Sequence, residues 1–337
     1  MATGLPFDDF RTLLADLPRP NEVAADAVRE RDRQLTKPPG SLGRLEEIAV
    51  WLASWQGHAP AVTRPLMAIF AGTHGVVAQG ISPYPAEVTA QMVANFAAGG
   101  AAINQICVAN DIGLKVFDLA LDHPTQDFTT GPALDEKACA ATMAFGMEAI
   151  AGGTDLLCIG EMGIGNTTVA ATLYAALFGG EAEEWVGRGT GADDAMLARK
   201  ADVVRQALAT HEGHLDDPLE VLRRVGGREI AAMVGAILAA RMQNIPVLID
   251  GYVASAAAAV LYKAAPDALD HCLFAHRSGE RGHARALHAM NVDPLLDLGM
   301  KLGEGTGAAL AVSIVRAAAL CHTGMATFEQ AAVADRN

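Results

Sequence analysis

The sequence is short of positive charge. Its 337 residues include 25 Lys and Arg against 39 Asp and Glu, which gives a formal net charge of -14. A negative balance of this size opposes general attraction to nucleic acid or to an anionic membrane surface. We therefore expect neither nucleic acid nor a membrane as a partner.

Cysteine is also scarce, and its arrangement argues against two kinds of site. The five cysteines are odd in number, scattered along the chain and mostly set in apolar runs. This pattern argues against a disulfide framework and against a CxxC metal site. We expect buried thiols at all of these positions: Cys107, Cys139, Cys158, Cys272 and Cys321.

Long apolar runs without a charge are missing as well. Asp250 interrupts the run 245–262 and Arg316 interrupts the run 306–320, so no segment is predicted to span a bilayer. The first ten residues, MATGLPFDDF, contain neither a basic region nor an apolar core of signal-peptide length. A cytoplasmic location is the default expectation.

The sequence is rich in short apolar runs that alternate with Ala-rich helical patterns. This alternation predicts an α/β fold in which helices cover a parallel sheet. Five continuous apolar runs, of the kind buried on both faces of a sheet, are the candidate strands: 66–71, 114–119, 155–159, 246–250 and 272–276. Open parallel sheets bind ligands at the carboxyl ends of their strands, so the segments after these runs are candidate binding loops.

Two glycine-rich loops precede helical patterns. GEMGIGNTT at 160–168 follows the third candidate strand. Its glycines allow close backbone approach, Asn166 or Thr167 is a candidate helix cap, and a helix N-terminus favours an anion. The second loop, VGRGTG at 186–191, precedes a helical stretch that carries Lys200. Phosphate binding and an ordinary helix cap with turn glycines fit each loop equally well.

A third glycine-rich segment carries an isolated carboxylate. In KLGEGTG at 301–307, Glu304 lies between glycines just before a long apolar helical pattern. Glycine on both sides lets the backbone approach a ligand closely, and the helix that follows offers unpaired N–H groups. Two interpretations fit: a catalytic carboxylate, and an acidic residue that only stabilises a helix N-terminus.

The histidines offer no convincing metal site. His74 follows the first candidate strand, where a ligand contact and a structural role are both plausible. His211 and His214, in HEGH, lack the i, i+4 spacing of a zinc-protease helix and are expected at a solvated helix end. His276 and His283 bracket a polar loop without Cys or Asp at ligand spacing, so contact with a small molecule fits better there.

Together these motifs resemble the nicotinate-nucleotide:dimethylbenzimidazole phosphoribosyltransferase family, which acts in building the lower ligand of cobalamin. The resemblance runs nearly end to end, and Thr73 departs from the acidic residue expected at its position. The matching segments, in order, are KPPGSLGRLE from Lys37, HGV from His74, YPAEVTAQM from Tyr84, GGAAIN from Gly99, GEMGIGNTT from Gly160, VGRGTG from Val186, the pair Gly226-Gly227, IDGYVASAAA from Ile249, SGExGH from Ser278 and LGEGTGAALA from Leu302.

The resemblance implies transfer of the 5-phosphoribosyl group from nicotinate mononucleotide to 5,6-dimethylbenzimidazole, giving α-ribazole 5′-phosphate and nicotinate. The anomeric configuration inverts, and neither a metal nor a cofactor is required. Glu304 corresponds to the general base that takes the proton from the benzimidazole. Glu161 is placed beside the ribose, where it stabilises positive charge, and it is the alternative base.

The same resemblance implies the remaining site residues. Nucleotide and phosphate contacts fall on Gly163, Gly189, Lys200 and Ser278. The pocket for the benzimidazole falls on Ser82, Tyr84, Gln91 and Leu302.

The expected architecture is a Rossmann-like parallel sheet flanked by helices, with a smaller helical lobe built from both ends of the chain. The expected division is 1–60 for the first part of the lobe, 61–290 for the α/β domain and 291–337 for the segment that carries the catalytic loop. Helical patterns at 21–34 and 42–55 fit the lobe. The termini are expected to meet, and the family resemblance implies a homodimer.

Two other classes of function fit the predicted fold: a dinucleotide-dependent oxidoreductase, and a non-catalytic nucleotide-binding or scaffold protein. The oxidoreductase would need GxGxxG directly after a strand, whereas GRGTG follows the charged stretch EAEEWV. A non-catalytic relative is expected to lose its isolated carboxylates, yet Glu161 and Glu304 are both present. Catalysis is the better interpretation.

Overall fold

One parallel sheet organises the chain. The computed structural model describes residues 4–189 and 191–334; Thr190, in the second predicted phosphate loop, and both extreme ends of the chain lie outside this part. Five strands pair in the order β2-β1-β3-β4-β5, and every pair is parallel. They are β1 (Pro65–Ala71), β2 (Gly113–Asp118), β3 (Leu156–Met162), β4 (Val247–Ile249) and β5 (Cys272–Phe274).

This sheet confirms the predicted α/β class and all five candidate strands. The order 2-1-3-4-5 is that of a doubly wound sheet, in which the winding reverses between β1 and β3. β4 and β5 are shorter than predicted, so Asp250 and His276 lie just beyond their carboxyl ends. Ligands of such sheets bind at this edge.

β1 is apolar throughout because both of its faces are covered, whereas the edge strand β2 is partly exposed and contains Lys115 and Asp118. In β1, Leu66, Ala68 and Phe70 point into one hydrophobic core, whereas Met67 and Ile69 point into the other. Alternate side chains of a strand face opposite sides, so a strand buried on both sides has no polar positions. This explains why continuous apolar runs predicted the strands.

Helices form a layer on each face. The first face carries α6, α7 and α9–α13, and the second carries α3, α4, α5 and α14. The helices are α1 (Asp8–Ala15), α2 (Glu22–Asp32), α3 (Arg44–Gln56), α4 (Val88–Ala97), α5 (Ala102–Ala109), α6 (Glu136–Met147), α7 (Asn166–Phe178), α8 (Ala182–Trp185), α9 (Asp194–Thr210), α10 (Pro218–Val225), α11 (Arg228–Met242), α12 (Tyr252–Ala264), α13 (His283–Ala289), α14 (Thr306–Gly324) and α15 (Phe328–Ala331).

The two ends of the chain meet, as predicted. The Thr36 amide donates to the carbonyl oxygen of Ala326 over 3.1 Å. The Arg31 guanidinium donates to the backbone oxygens of His322 and Met325. The helices predicted at 21–34 and 42–55 are α2 and α3. The division of the chain at residues 60 and 290 stays a prediction.

Two predictions about burial need correction. Four of the five cysteines are buried, but Cys321 is partly exposed. His211 does not lie at a solvated helix end: it is 1% exposed and its ring Nε2 is 2.9 Å from the Phe128 carbonyl oxygen. The reason is tertiary, because the loop containing Phe128 and Thr129 packs over the end of α9. His214 is exposed, as predicted.

Two stretches are long and apolar enough to cross a membrane by length and composition alone, Val88–Ala109 and Thr306–Gly324. The first consists of two helices, α4 and α5, of 10 and 8 residues. Each is far shorter than the roughly 20 residues that span a bilayer. The second is α14, which supplies Ala308, Val312 and Val315 to the core below the sheet. Buried core helices pass the same test of length and composition.

The packing of α6 on α11 yields a stability prediction. A β-carbon on Gly235 would overlap the carbonyl oxygen of Met143, whereas Gly324, at the end of α14, has open space around it. We expect Gly235→Ala to lower the free energy of unfolding by about 3 kcal/mol, because a backbone atom cannot move aside cheaply. Urea titration measures this change.

Gly324→Ala is the matched control. Its new methyl group meets no neighbour, so helix propensity alone acts and stability should rise by up to about 1 kcal/mol. Equal effects of the two substitutions would contradict the packing described for α6 and α11.

Candidate active site

A cleft of about 800 Å³ lies at the carboxyl edge of the sheet. Its walls come from the segments that follow β3, β4 and β5, from the start of α7, from α9 and from the segments 81–83 and 301–303. Seven of the predicted site residues line it together: Ser82, Glu161, Gly163, Gly189, Lys200, Ser278 and Leu302.

Three predicted site residues are not among those that line the cleft. Glu304 lies beside it, because its neighbour Gly303 is part of the wall. Tyr84 is 47% exposed, and Gln91 is exposed on α4. The structure therefore brings Ser82 and Leu302 together at the cleft and leaves Tyr84 and Gln91 on the surface.

Glu161 is buried at the end of β3. It is 7% exposed, and its carboxylate accepts a hydrogen bond from the Asn166 side-chain amide. Burial raises the pKa of Glu161 to about 8, the Asn166 bond opposes this rise, and the nearby carboxylates, Glu304 among them, add to it. The carboxyl group therefore exchanges its proton near neutral pH.

Asn166 has a different role from the one predicted. The residue before α7 is Gly165, with a φ of 88°, and no side chain caps the helix there. Asn166 is the first helical residue and turns its side chain back to Glu161, while Thr167 faces Lys200. The prediction that Asn166 or Thr167 caps α7 is therefore wrong. The cause is that α7 begins at Asn166, so the cap position falls on Gly165, whose left-handed φ favours glycine.

Glu304 is held in a strained backbone conformation. Its φ is 61°, a left-handed value that is uncommon for a residue with a side chain and costs roughly 1 to 3 kcal/mol. It is 6% exposed, and within the described residues its Oε2 has no hydrogen-bond partner. Burial, and then the charge of Asp250, raise the pKa of Glu304 to about 7. A strained, buried and unpartnered carboxylate is typical of a functional group rather than of a helix cap.

Asp250 is a site residue that the sequence reasoning missed. It lines the cleft one position beyond β4, is 1% exposed, and accepts the Ala308 amide over 3.0 Å in the first turn of α14. Burial raises the pKa of Asp250, and the His276 ring, 3.6 Å away, opposes that rise. Its position directly after a buried strand was the available signal, but its charge was taken only as an interruption of an apolar run.

Cations also line the cleft. Lys200 is 4% exposed, and its ammonium donates to the Gly187 carbonyl oxygen over 3.1 Å and to Thr167 Oγ1 over 3.3 Å. Burial lowers the pKa of Lys200, while the charge of Glu280 opposes this. Arg188 and Lys301 also line the cleft. The part of the cleft around Lys200, next to the N-terminus of α7, is suited to an anion.

The histidines separate into different environments. His276 lines the cleft, as expected for contact with a small molecule. His283 is buried and inward: it is hydrogen-bonded to the Ser255 hydroxyl and accepts the Ser278 amide. His74 is also buried, against Glu229, and the Thr73 hydroxyl donates to the Leu121 carbonyl oxygen. In the described part of the chain, no group of three His, Cys, Asp or Glu is arranged to hold a metal ion.

The fold and the cleft are those of a phosphoribosyltransferase. A family model described as "Phosphoribosyltransferase" matches residues 17–333. The nicotinate-nucleotide–dimethylbenzimidazole phosphoribosyltransferase of Allorhizobium ampelinum is 72% identical over 331 residues, which cover 98% of this chain and 97% of that protein. The protein of the same name from Sinorhizobium medicae is 70% identical over 335 residues and 99% of both chains.

A solved structure agrees with these relatives. The crystal structure of CobT from Thermus thermophilus superposes with a TM-score of 0.87 at 44% identity, over 93% of this chain and 100% of that one. The chain therefore belongs to the nicotinate-nucleotide–dimethylbenzimidazole phosphoribosyltransferase family. Neither the oxidoreductase nor the non-catalytic alternative applies.

The charge interaction between Asp250 and Glu304 yields a prediction that needs no activity assay. Asp250→Asn keeps an oxygen to accept the Ala308 amide but removes the negative charge that helps to raise the pKa of Glu304. We expect the pKa of Glu304 to fall from about 7 toward its ordinary value. Carbon-13 NMR of the Glu carboxyl groups measures it, with Glu304→Gln to assign the resonance. An unchanged or higher pKa would refute the coupling.

Proposed function

We propose that this chain transfers the 5-phosphoribosyl group from nicotinate mononucleotide to 5,6-dimethylbenzimidazole, with inversion at the anomeric carbon and Glu304 as the general base. The observation that carries the proposal is the unpartnered, buried carboxylate of Glu304, with a pKa raised to about 7, beside a cleft that also holds Glu161. The names of the relatives support the two substrates.

The reaction exchanges one N-glycosidic bond for another. One benzimidazole nitrogen bonds to the anomeric carbon, the bond to nicotinate breaks, and its electron pair returns to the pyridine nitrogen. The proton on the other benzimidazole nitrogen passes to Glu304. A base whose pKa lies near the working pH is efficient for this step, and general bases contribute roughly 10²- to 10⁴-fold.

Glu161 acts on the sugar in this proposal. The pyridinium of the substrate and the cationic sugar of the transition state both favour ionised carboxylates nearby. The Asn166 amide holds the Glu161 side chain in place, and this bond favours the ionised form. Glu161 thereby hydrogen-bonds the ribose and stabilises the positive charge that builds as nicotinate leaves.

The phosphate is proposed to bind in the cleft near Lys200 and the N-terminus of α7. Lys200 reaches Thr167 at the N-terminus of α7, and Gly189 lies against both side chains. Gly163 and Ser278 complete the proposed set, and both line the cleft. The Lys200 ammonium donates to neutral oxygens, and the charge of Glu280 opposes the effect of burial on its pKa, so a charged ammonium is proposed to pair with the phosphate.

The benzimidazole pocket is proposed at the wall formed by the segments 81–83 and 301–303. Ser82 and Leu302 line the cleft there, and Leu302 is 51% exposed, which leaves apolar surface for a flat ring. For Tyr84 and Gln91 to join this pocket, the segment that carries them would have to move inward over the cleft.

We also propose a cytoplasmic homodimer. Val108 on α5 is 81% exposed and Leu320 on α14 is 62% exposed, and the Arg316 guanidinium of α14 reaches the Asn110 carbonyl oxygen next to α5. Exposed apolar residues on adjacent helices are typical of an interface.

The dimer prediction is tested by mass. Light scattering after size-exclusion chromatography should give twice the chain mass for the unchanged protein, and a smaller mass for Val108→Asp with Leu320→Asp, because buried charge opposes association. Val23→Asp, on the equally exposed Val23 of α2, is the control and should stay dimeric. A monomeric unchanged protein would refute the proposal.

The assignment of the base is tested by Glu304→Gln and Glu161→Gln. Nicotinate and the riboside phosphate are separated by chromatography after incubation with both substrates. We expect Glu304→Gln to lower kcat by roughly 10²- to 10⁴-fold. In the unchanged enzyme, kcat/KM should fall as pH drops because Glu161, with a pKa of about 8, and then Glu304, with a pKa of about 7, become protonated. In Glu304→Gln only the part of this fall that belongs to Glu161 should remain.

Glu220→Gln is the control, because Glu220 pairs with Arg223 and Arg224 on α10 and does not line the cleft. If Glu304→Gln kept most of its activity while Glu161→Gln lost nearly all, the two roles would be reversed. No product with any benzimidazole would overturn the proposed reaction itself.

A further inference from the structure

A buried histidine and glutamate meet below the loop that carries Glu161, and the proposed reaction uses neither. His74 Nε2 lies 2.8 Å from Glu229 Oε1, and both side chains are fully buried. The pair joins the segment after β1 to the first turn of α11. Buried ionisable pairs add little stability over apolar residues of the same volume, so their presence calls for another explanation.

Three glycines leave space for this pair. A β-carbon on Gly72 would overlap Glu229 Oε2, and one on Gly227 would overlap the His74 ring. A β-carbon on Gly163 would lie 3.0 Å from His74 Nε2, closer than ordinary contacts allow. The backbone therefore lies so close to both side chains that only glycine fits at these three positions.

One of these contacts leads directly to the active site. Gly163 lines the cleft and lies next to the His74 ring. Its carbonyl oxygen accepts a hydrogen bond from the backbone amide of Asn166 over 3.1 Å. The Asn166 side chain in turn donates to Glu161. On the other side of the pair, the Gly72 amide donates to the Met162 carbonyl oxygen over 3.0 Å. The turn 161–166 is thus supported from below by the pair and by its glycines.

We infer that His74 and Glu229 are positioning residues for the nucleotide half of the reaction. The His74 ring supports Gly163 from below, and Glu229 fixes the orientation of the ring. Together they fix the position of the turn 161–166. That position places the Glu161 carboxylate and the Gly163 backbone against the ribose and the phosphate. This inference rests on the proposed function and deepens it by separating the two substrates.

The separation follows from the contacts. In the described structure, the pair lies next to Gly163 in the loop that is proposed to meet ribose and phosphate. Leu302 and Glu304 lie on another segment, and Ser82 lies eight residues beyond His74. Loss of the support should therefore weaken the use of nicotinate mononucleotide and leave the use of dimethylbenzimidazole unchanged.

The test measures both substrates in the whole enzyme. We expect His74→Ala to raise KM and Kd for nicotinate mononucleotide on the order of 10- to 100-fold, because small misplacements of a binding group have effects of this size. KM for dimethylbenzimidazole should stay within about twofold, because its wall of the cleft does not touch the pair. Steady-state kinetics gives both KM values, and calorimetry gives Kd for the nucleotide.

Conservative variants separate positioning from bulk. Glu229→Gln keeps an oxygen that accepts from His74 and should retain near-normal KM for the nucleotide, whereas Glu229→Ala should behave as His74→Ala. Should His74→Ala not fold, His74→Gln, which is shorter but keeps a donor, enters the same comparison.

His211→Ala is the matched control. His211 is as deeply buried as His74, is hydrogen-bonded to the Phe128 carbonyl oxygen, and lies one residue past the end of α9. That is about 16 Å along the helix from Lys200. His211→Ala should lower the melting temperature and leave the ratio of the two KM values unchanged.

Equal rises in both KM values, or a loss of stability alone as in His211→Ala, would overturn the inference. Absence of ribosyl transfer by the unchanged enzyme would overturn the proposed function instead. In that case, the calorimetric Kd for nicotinate mononucleotide in unchanged protein and His74→Ala would still decide the inference, with equal values or no binding counting against it.

Discussion

The contact on which this site depends is the approach of two backbones, at Gly160 in β3 and at Gly305 before α14. A β-carbon on Gly160 would lie 2.7 Å from the Gly305 nitrogen, so no side chain fits between them. Glu161 and Glu304 are the immediate neighbours of these glycines, and each approaches the same cleft because of this contact. The left-handed φ of Gly305, 77°, turns the chain from the loop 301–305 into α14.

This arrangement concentrates buried carboxylates. Glu161, Asp250 and Glu304 each have a raised pKa, with burial as the largest cause. The first turn of α14 offsets part of the cost, because its amides bind Asp250 where the helix N-terminus carries partial positive charge. The remaining cost favours any cation that enters, since charge interactions strengthen where water is excluded. In the proposed reaction, the cationic sugar of the transition state is the positive charge that these carboxylates stabilise.

How much of this was predictable from the sequence differs between elements. All five strands were predictable: the inner ones because a strand buried on both faces leaves a continuous apolar run, and β2 because it keeps several apolar residues although it is a partly exposed edge strand. The isolated glutamates were recognisable because glycine surrounds them. The cap of α7 was not predictable, because the sequence does not show that the helix begins at Asn166 and leaves Gly165, with its left-handed φ, at the cap position. The roles of Asp250 and Glu229 were not predictable, because their partners, in the first turn of α14 and in the segment after β1, are distant in sequence.

The charge distribution within the cleft resolves an apparent conflict with the net charge of -14. At physiological salt, charges act over roughly 8 Å, so distant surface carboxylates have little effect on a bound phosphate. The cleft contains charges of both signs, because Glu161, Asp250 and Glu280 line it together with Lys200, Arg188 and Lys301. The proposed nucleotide has a pyridinium ring with a carboxylate at one end and an anionic phosphate at the other. In the proposed orientation, the phosphate lies near Lys200 and the N-terminus of α7 and the cationic sugar lies near Glu161, so the same charges would bind the nucleotide and orient its anomeric carbon.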